Sequence, residues 1–185
     1  GTAMRNHIFP EASVKPNLII YAVPKTLTKM SQKLKLITYE DERYLYCNIK
    51  TLNLLPNVLA SQKAAEAGCN EAVFHRGDIV TECAHSNISI LKGGVLRTAP
   101  LTKYILPGTV RKQMLELARE NDIPIDETAF TLSELLNADE VIVTSTTLMI
   151  HGTESIDGKA VGGKDAATLG LLQDAYMRRV DRELK

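Results

Sequence analysis

The stretch Asn48-Ile49-Lys50-Thr51-Leu52-Asn53 decides how this chain is read. Before it, Tyr44-Leu45-Tyr46-Cys47 alternates side chains between two faces, which predicts a strand delivering one lysine at its end. After it, the pattern from Leu54 to Ala67 turns helical. Leu55, Val58, Leu59 and Gln62 fall at helical spacing, Pro56 suits the first turn, and Gly68 is a stop. An ammonium at the end of a buried strand is costly to desolvate unless it is paired or loses its proton. That cost becomes useful where a neutral amine must attack a carbonyl, as Schiff-base chemistry requires. Alone, a lysine so placed is ordinarily a solvated charge, so Lys50 gains meaning only from its company.

That company lies downstream. Ala72-Val73-Phe74-His75 and Ile79-Val80-Thr81-Glu82 flank Arg76-Gly77-Asp78 and predict a hairpin that ends on an acid. Ile88 to Leu91 and Val95 to Arg97 flank Gly93-Gly94 and predict a second hairpin. Gly108-Thr109 opens a helix to Asn121, with Met114, Leu115, Leu117 and Ala118 toward its inner face. Pro124 begins a strand toward Phe130, and Thr131 to Glu134 starts a short helix. Glu140 to Thr144 is a strand running into the hydroxyl cluster Thr144-Ser145-Thr146-Thr147. Asp165 caps a last amphipathic helix carrying Leu169, Leu172, Tyr176 and Val180. Upstream, Asn17 to Val23 is a continuous apolar run that predicts a buried strand, and Lys33 to Tyr39 alternates as another. Glu40-Asp41-Glu42-Arg43 reads as a charged turn.

Composition narrows the classes. The chain has 185 residues, 44% hydrophobic and 24% charged, which is enough for one sizeable core. Its formal net charge is zero, so nothing argues for nucleic acid or an anionic membrane as partner. No apolar run approaches the roughly 18 residues that span a bilayer. Cys47, Cys69 and Cys83 are odd in number and lack metal-ligand spacing; they suit free thiols in a reducing cytoplasm, with no metal expected. Hairpins with interspersed helices predict an α+β fold.

Together, Asn48 to Leu55 around Lys50, Thr81-Glu82, Gly108-Thr109-Val110-Arg111 and Ser145-Thr146-Thr147 resemble the fold-type IV family of pyridoxal-phosphate enzymes. Within it, they are most similar to the D-amino acid aminotransferases. The resemblance implies a large domain with mixed, mostly antiparallel strands in a barrel-like sheet, packed by helices. It implies Lys50 as the catalytic amine that carries the cofactor, pyridoxal 5′-phosphate, as a Schiff base. Glu82 would pair with the pyridinium nitrogen. Thr109 and Val110 at the helix start, with Ser145 and Thr146 opposite, would hold the phosphate. The family's usual Gly-Ile-Thr-Arg is here Gly-Thr-Val-Arg, so one side-chain hydroxyl is displaced while the backbone donors remain.

Arg5-Asn6-His7 resembles the carboxylate trap of the D-amino acid enzymes, with Arg5 and His7 on the substrate carboxylate of the other subunit. A homodimer acting on D-amino acids and 2-oxo acids is therefore implied. Cys83 stands for a usual glycine and Ala84-His85 for small hydroxyl residues, which places His85 near the substrate. Leu148 to Thr153 departs from a polar, proline-containing sequence and reads as an altered, more apolar pocket rim. These enzymes carry a further small N-terminal domain. Residues 1–28 are expected to be the end of that domain and a connector, and residues 29–185 the cofactor-binding large domain. Three functions stay open: a D-amino acid aminotransferase converting D-alanine and 2-oxoglutarate to pyruvate and D-glutamate; an aminodeoxychorismate lyase or branched-chain aminotransferase relative; and an inactive domain serving as a binding or assembly module.

Overall fold

Alternation of Leu34 and Leu36, both buried, with exposed Lys35 makes residues Leu34–Glu40 a strand, β1. The computed structural model describes residues 3–4, 6–24, 26 and 28–184. After β1 come α1 (Leu55–Glu66), β2 (Glu71–Arg76), β3 (Ile79–Cys83), β4 (Asn87–Lys92) and β5 (Val95–Thr98). Then follow α2 (Thr109–Glu120), β6 (Ile125–Asp126), α3 (Leu132–Leu136), β7 (Glu140–Ser145), β8 (Met149–Ile156), β9 (Lys159–Ala160) and α4 (Ala166–Glu183). The two expected hairpins form, and Gly77, Gly93 and Gly94 take the positive φ angles their tight turns need. The Thr131 hydroxyl and the Glu134 carboxylate cap each other's backbone at the start of α3. Asp165 accepts from the Thr168 N–H at the start of α4.

The strands run β3-β2-β1-β8-β7-β4-β5-β6, with β9 beside β8. The sheet is more mixed than the hairpin pattern suggests. β1 is parallel to both β2 and β8, and β5 is parallel to β6. Laid flat, this order would hold β3 and β4 roughly 24 Å apart. Yet only Ala84, His85 and Ser86 connect them, a reach of about 14 Å at most. The sheet must therefore curl until β3 meets β4, where the Cys83 N–H donates to the Ser86 carbonyl at 2.8 Å.

Curling gives the sheet an inner and an outer face. Leu36, Val73, Ile88, Ile90, Val141 and Val143 pack together on one face with Phe130 and Leu135. Their strand neighbours point the other way. Leu91, Ile142 and Ile150 meet Met114, Leu117 and Leu172 of α2 and α4, while Ala72 and Phe74 meet Ala60 and Ala64 of α1. Gln173 of α4 donates to the carbonyls of Met30 and Ile150, and His151 reaches the Lys29 carbonyl, so residues 29–30 are tied to β8.

Four expectations fail. Tyr44–Cys47 is not a strand but an irregular turn, with Tyr46 at φ 80°. Asn17–Val23 has no regular secondary structure and pairs with no described strand, and Leu18, Ile19, Ile20 and Tyr21 are exposed. Six consecutive apolar side chains need cover on both faces, and the described residues supply none. Between Pro124 and Phe130 only Ile125–Asp126 forms a strand, beside β5, and the Phe130 carbonyl then accepts from the Val80 N–H of β3. Within the Leu148–Thr153 stretch, residues 149–153 form a buried part of β8 between β7 and β1. α1 forms where expected but faces the other way. Its small side chains Ala60 and Ala64 are buried, whereas Leu55, Val58 and Leu59 are 67%, 59% and 50% exposed.

Leu36 is fully buried where β1 meets the inner core. Leu36→Ala should cost about 2–5 kcal/mol in unfolding free energy, read from the urea midpoint.

Candidate active site

β3 carries Glu82 to the seam where the curled sheet closes. The carboxylate is 4% exposed and gripped on both oxygens. Oε1 accepts from Nη1 of Arg43 at 2.5 Å. Oε2 accepts from Nδ2 of Asn87 at 3.1 Å and from the Leu106 N–H at 3.0 Å. A carboxylate offers about four acceptor directions, so one on Oε1 is left over. Burial pushes the Glu82 carboxyl up to about 7, against the opposing pull of the Arg43 guanidinium and the Leu106 N–H.

Asn87 gathers the neighbouring elements. Its side chain also donates to the Leu106 carbonyl at 2.9 Å. A Cβ on Gly108 would overlap its carboxamide oxygen, so only glycine lets the start of α2 come this close. Along its backbone, Asn87 pairs with Thr144 of β7, one residue before Ser145. Glu82, the start of α2 and the end of β7 are thus fixed around one side chain. α2 has no side-chain cap at Gly108; Thr109 is exposed and Val110 buried. Its first N–H groups lie at the positive end of the helix dipole. Arg111 is buried instead and anchors α2 to β5 by donating to the Thr98 hydroxyl and the Ala99 carbonyl.

Beyond β7, Thr146, Thr147 and Leu148 turn the chain, and Met149 takes φ 59°. The Ser145 hydroxyl accepts from the Leu148 N–H at 3.1 Å and lies 3.3 Å from that of Thr147. Thr146 is exposed. Left-handed backbone at Met149 and Tyr46 is strain of the kind that collects at functional sites.

Lys50 sits in a loop tethered at both ends to β3 and its exit. Arg43 binds Glu82 at one end, and Asn57 Nδ2 donates to the Ala84 carbonyl at 2.7 Å at the other. Between them the Cys47 N–H donates to the Lys103 carbonyl, and the Tyr44 hydroxyl meets that of Thr51. Lys50 is exposed and makes no hydrogen bond or ion pair among the described residues. His85 lies just past Glu82, with Nδ1 2.8 Å from the buried Glu71 carboxylate, which also accepts from Ser86. His7 is exposed, and Arg5 lies outside the described residues. Among the described residues no cluster of three or more His, Cys, Asp or Glu could hold a metal ion, and no helix is long and apolar enough to cross a membrane.

The residues that sequence reasoning missed are Asp41, Arg43 and Asn87. No local signal marked the first two: Glu40-Asp41-Glu42-Arg43 is charged throughout, and only the fold shows Asp41 and Arg43 buried while Glu40 and Glu42 are exposed. Arg43 forks onto Asp41 through Nε at 2.8 Å and Nη2 at 2.9 Å. Arg76 and the Thr81 hydroxyl also reach Asp41. Burial raises the Asp41 carboxyl, but the hydrogen bonds and charge of Arg43, with Arg76, outweigh it and hold the group below its ordinary value.

A curled mixed sheet with a buried acid, a glycine-led helix start and a hydroxyl turn at one seam is an α+β domain of the fold-type IV aminotransferase class. The chain belongs to the amino-transferase class IV family, which it matches over residues 1–156. It is 40% identical to the D-alanine aminotransferase of Staphylococcus haemolyticus over 184 residues, covering 98% of this chain and 65% of that protein. It is 41% identical to the D-alanine aminotransferase of Listeria monocytogenes serotype 4b (strain F2365), covering 95% of this chain and 62% of that one. The chain therefore spans less than two thirds of the length of these relatives. In fold it resembles the fold IV-transaminase CpuTA1 from Curtobacterium pusillum, with a TM-score of 0.76 at 21% identity over 86% of this chain and 57% of that one.

The Glu82 carboxyl stands above its ordinary value near 4.5, so the folded chain holds more protons than the unfolded one between about 4.5 and about 7. Its contribution to stability is complete below 4.5 and is lost as pH rises through about 7. Urea titrations across this window should show stability declining with pH in the wild type and a flatter profile in Glu82→Gln. Parallel profiles would contradict the burial described.

Proposed function

We propose that the protein to which this chain belongs is a pyridoxal-phosphate-dependent aminotransferase for D-amino acids, moving the amino group of D-alanine to 2-oxoglutarate. One observation carries the reading: the acid, the helix start and the hydroxyl turn converge on Asn87 beside a lysine-bearing loop. The roughly 40% identity to D-alanine aminotransferases across almost the whole chain supports the choice of substrate.

The residues present fit the cofactor. The leftover acceptor direction on Glu82 suits a ring N–H, and the uncapped start of α2 suits a phosphate. The Thr144 hydroxyl, buried without a partner among the described residues on the strand beside Asn87, is a polar group that a bound ligand or water would satisfy. When bound, the cofactor supplies an electron sink for the substrate carbanion. The protein's part is to hold and time. The Lys50 amine carries the cofactor and then moves a proton at the substrate Cα. Glu82 presents an anion to the ring nitrogen. Thr109 and Val110 on one side, with Ser145 and Thr146 on the other, fix the phosphate. Arg5 and His7 take the substrate carboxylate, and His85, aimed by Glu71, lines the substrate side.

The same reading includes a homodimer in the cytoplasm, with residues 1–28 leading into the large domain of residues 29–185. The outward stripe of Leu55, Val58 and Leu59, beside exposed Ile49 and Leu52, supports an interface there. Three free thiols suit a reducing compartment.

Pyridoxal phosphate added to the purified chain should give a visible band that borohydride fixes on Lys50. Lys50→Ala should lose that band and at least a thousandfold in D-alanine turnover by the full-length protein; normal turnover would refute the assignment. Pyruvate released from aminodeoxychorismate without D-alanine activity would redirect it to the lyase. Val58→Asp should shift the sedimentation coefficient from dimer to monomer.

A further inference from the structure

We propose that Arg43, held in place by Asp41, is the positioning residue that aims Glu82 and opposes the proton that burial favours there, with its one leftover acceptor direction presented to the ring nitrogen of the cofactor. The inference rests on the functional reading above for the identity of the ring, but the hold of Arg43 on Glu82 is a property of this chain alone.

The geometry is over-determined. Asp41 is fully buried and takes the guanidinium edge of Arg43 in a two-point fork. Nη2 of Arg43 also donates to the Tyr104 carbonyl at 3.1 Å, and the guanidinium lies over the Phe74 ring at 4.4 Å. Fixed by its fork and by its face, Arg43 has one direction in which to send Nη1, and there it meets Oε1 of Glu82. Oε2 is fixed by Asn87 and Leu106, so the carboxylate cannot rotate. An anion held in a fixed plane is what a ring N–H needs for a charge-assisted bond.

Charge decides the protonation state. The groups that face Glu82 are Arg43 and Asp41 after β1, Arg76 from β2 through Asp41, Asn87 from β4, the Leu106 N–H before α2, and the thiols of Cys47 and Cys83. Of these, only Arg43 puts a positive charge in contact with Glu82. A proton shared between a buried carboxylate and a pyridine nitrogen falls to whichever base is less stabilised as it stands. The Arg43 cation stabilises the carboxylate and leaves the proton on the ring. Without it, burial favours the neutral acid, and the ring is left unprotonated and a poorer electron sink. Asp41 acts one step back. It is ionised, it orients Arg43, and it neutralises the part of the cation that Glu82 does not use.

The test reads the carboxyl and the ring separately. In the cofactor-free chain, carbon NMR of labelled glutamate should show the Glu82 midpoint rising by at least one pH unit in Arg43→Gln. Arg43→Lys should recover part of the shift, and Asp41→Asn should lie between. In the loaded chain, nitrogen NMR of ring-labelled pyridoxal phosphate should show the ring losing its proton at lower pH in Arg43→Gln. Circular dichroism checks folding, and if Arg43→Gln does not fold, Asp41→Asn decides. A Glu82 midpoint unmoved by the folded variants overturns the proposal, because a merely structural arginine would lower Tm and leave that midpoint alone. If the midpoint moves but the wild type forms no borohydride-trapped adduct, the functional reading fails and the control of Glu82 by Arg43 stands.

Discussion

The three-residue link from Cys83 to Asn87 is the constraint from which the rest follows. It joins strands that lie far apart along the sheet path, so the sheet has to curl and close on itself. Closure puts Glu82, at the end of β3, against Asn87, at the start of β4. Everything else at the site hangs from that meeting. α2 approaches because Gly108 has no side chain to collide with Asn87, and β7 arrives because it is the ladder partner of β4. A longer link would relax the curl and separate an acid from a helix start that are more than twenty residues apart in sequence.

The burial of Glu82 has two sides. Removing a carboxylate from water is unfavourable, and the group responds by holding its proton to higher pH. The same burial strengthens any charge that does reach it. Asp41 and Arg43 make this tolerable by setting one buried acid and one buried base behind it, with Arg76 partly exposed at the edge. The cluster therefore carries two acids and two bases, and the core around it stays nearly neutral.

Much of this was legible in the sequence. Both hairpins, α2 with its inner face, the capping box at Thr131 and the Asp165 cap follow from local chemistry that tertiary contacts reinforce. The Lys50 loop, the unpaired Asn17–Val23 run and the orientation of α1 were not legible, for one shared reason. Period and propensity report that a segment has an apolar face, but not what covers that face. In α1 the small alanines are close enough to pack on β2 and Phe74, and the larger leucines are left outside. The candidate site was legible as separate pieces through family resemblance. The supporting layer of Asp41, Arg43 and Asn87 was hidden because an acidic and basic run looks solvated until the fold shows alternate members buried.

The outward leucines of α1 have a consequence for how this chain behaves in water. Wet hydrocarbon on a rigid helix is a standing free-energy gradient toward any other greasy surface, with no regard for which one. Copies of this chain are thus drawn toward one another, or toward any other apolar surface, as their concentration rises. Dilution and low temperature both weaken that pull and favour material that stays in solution.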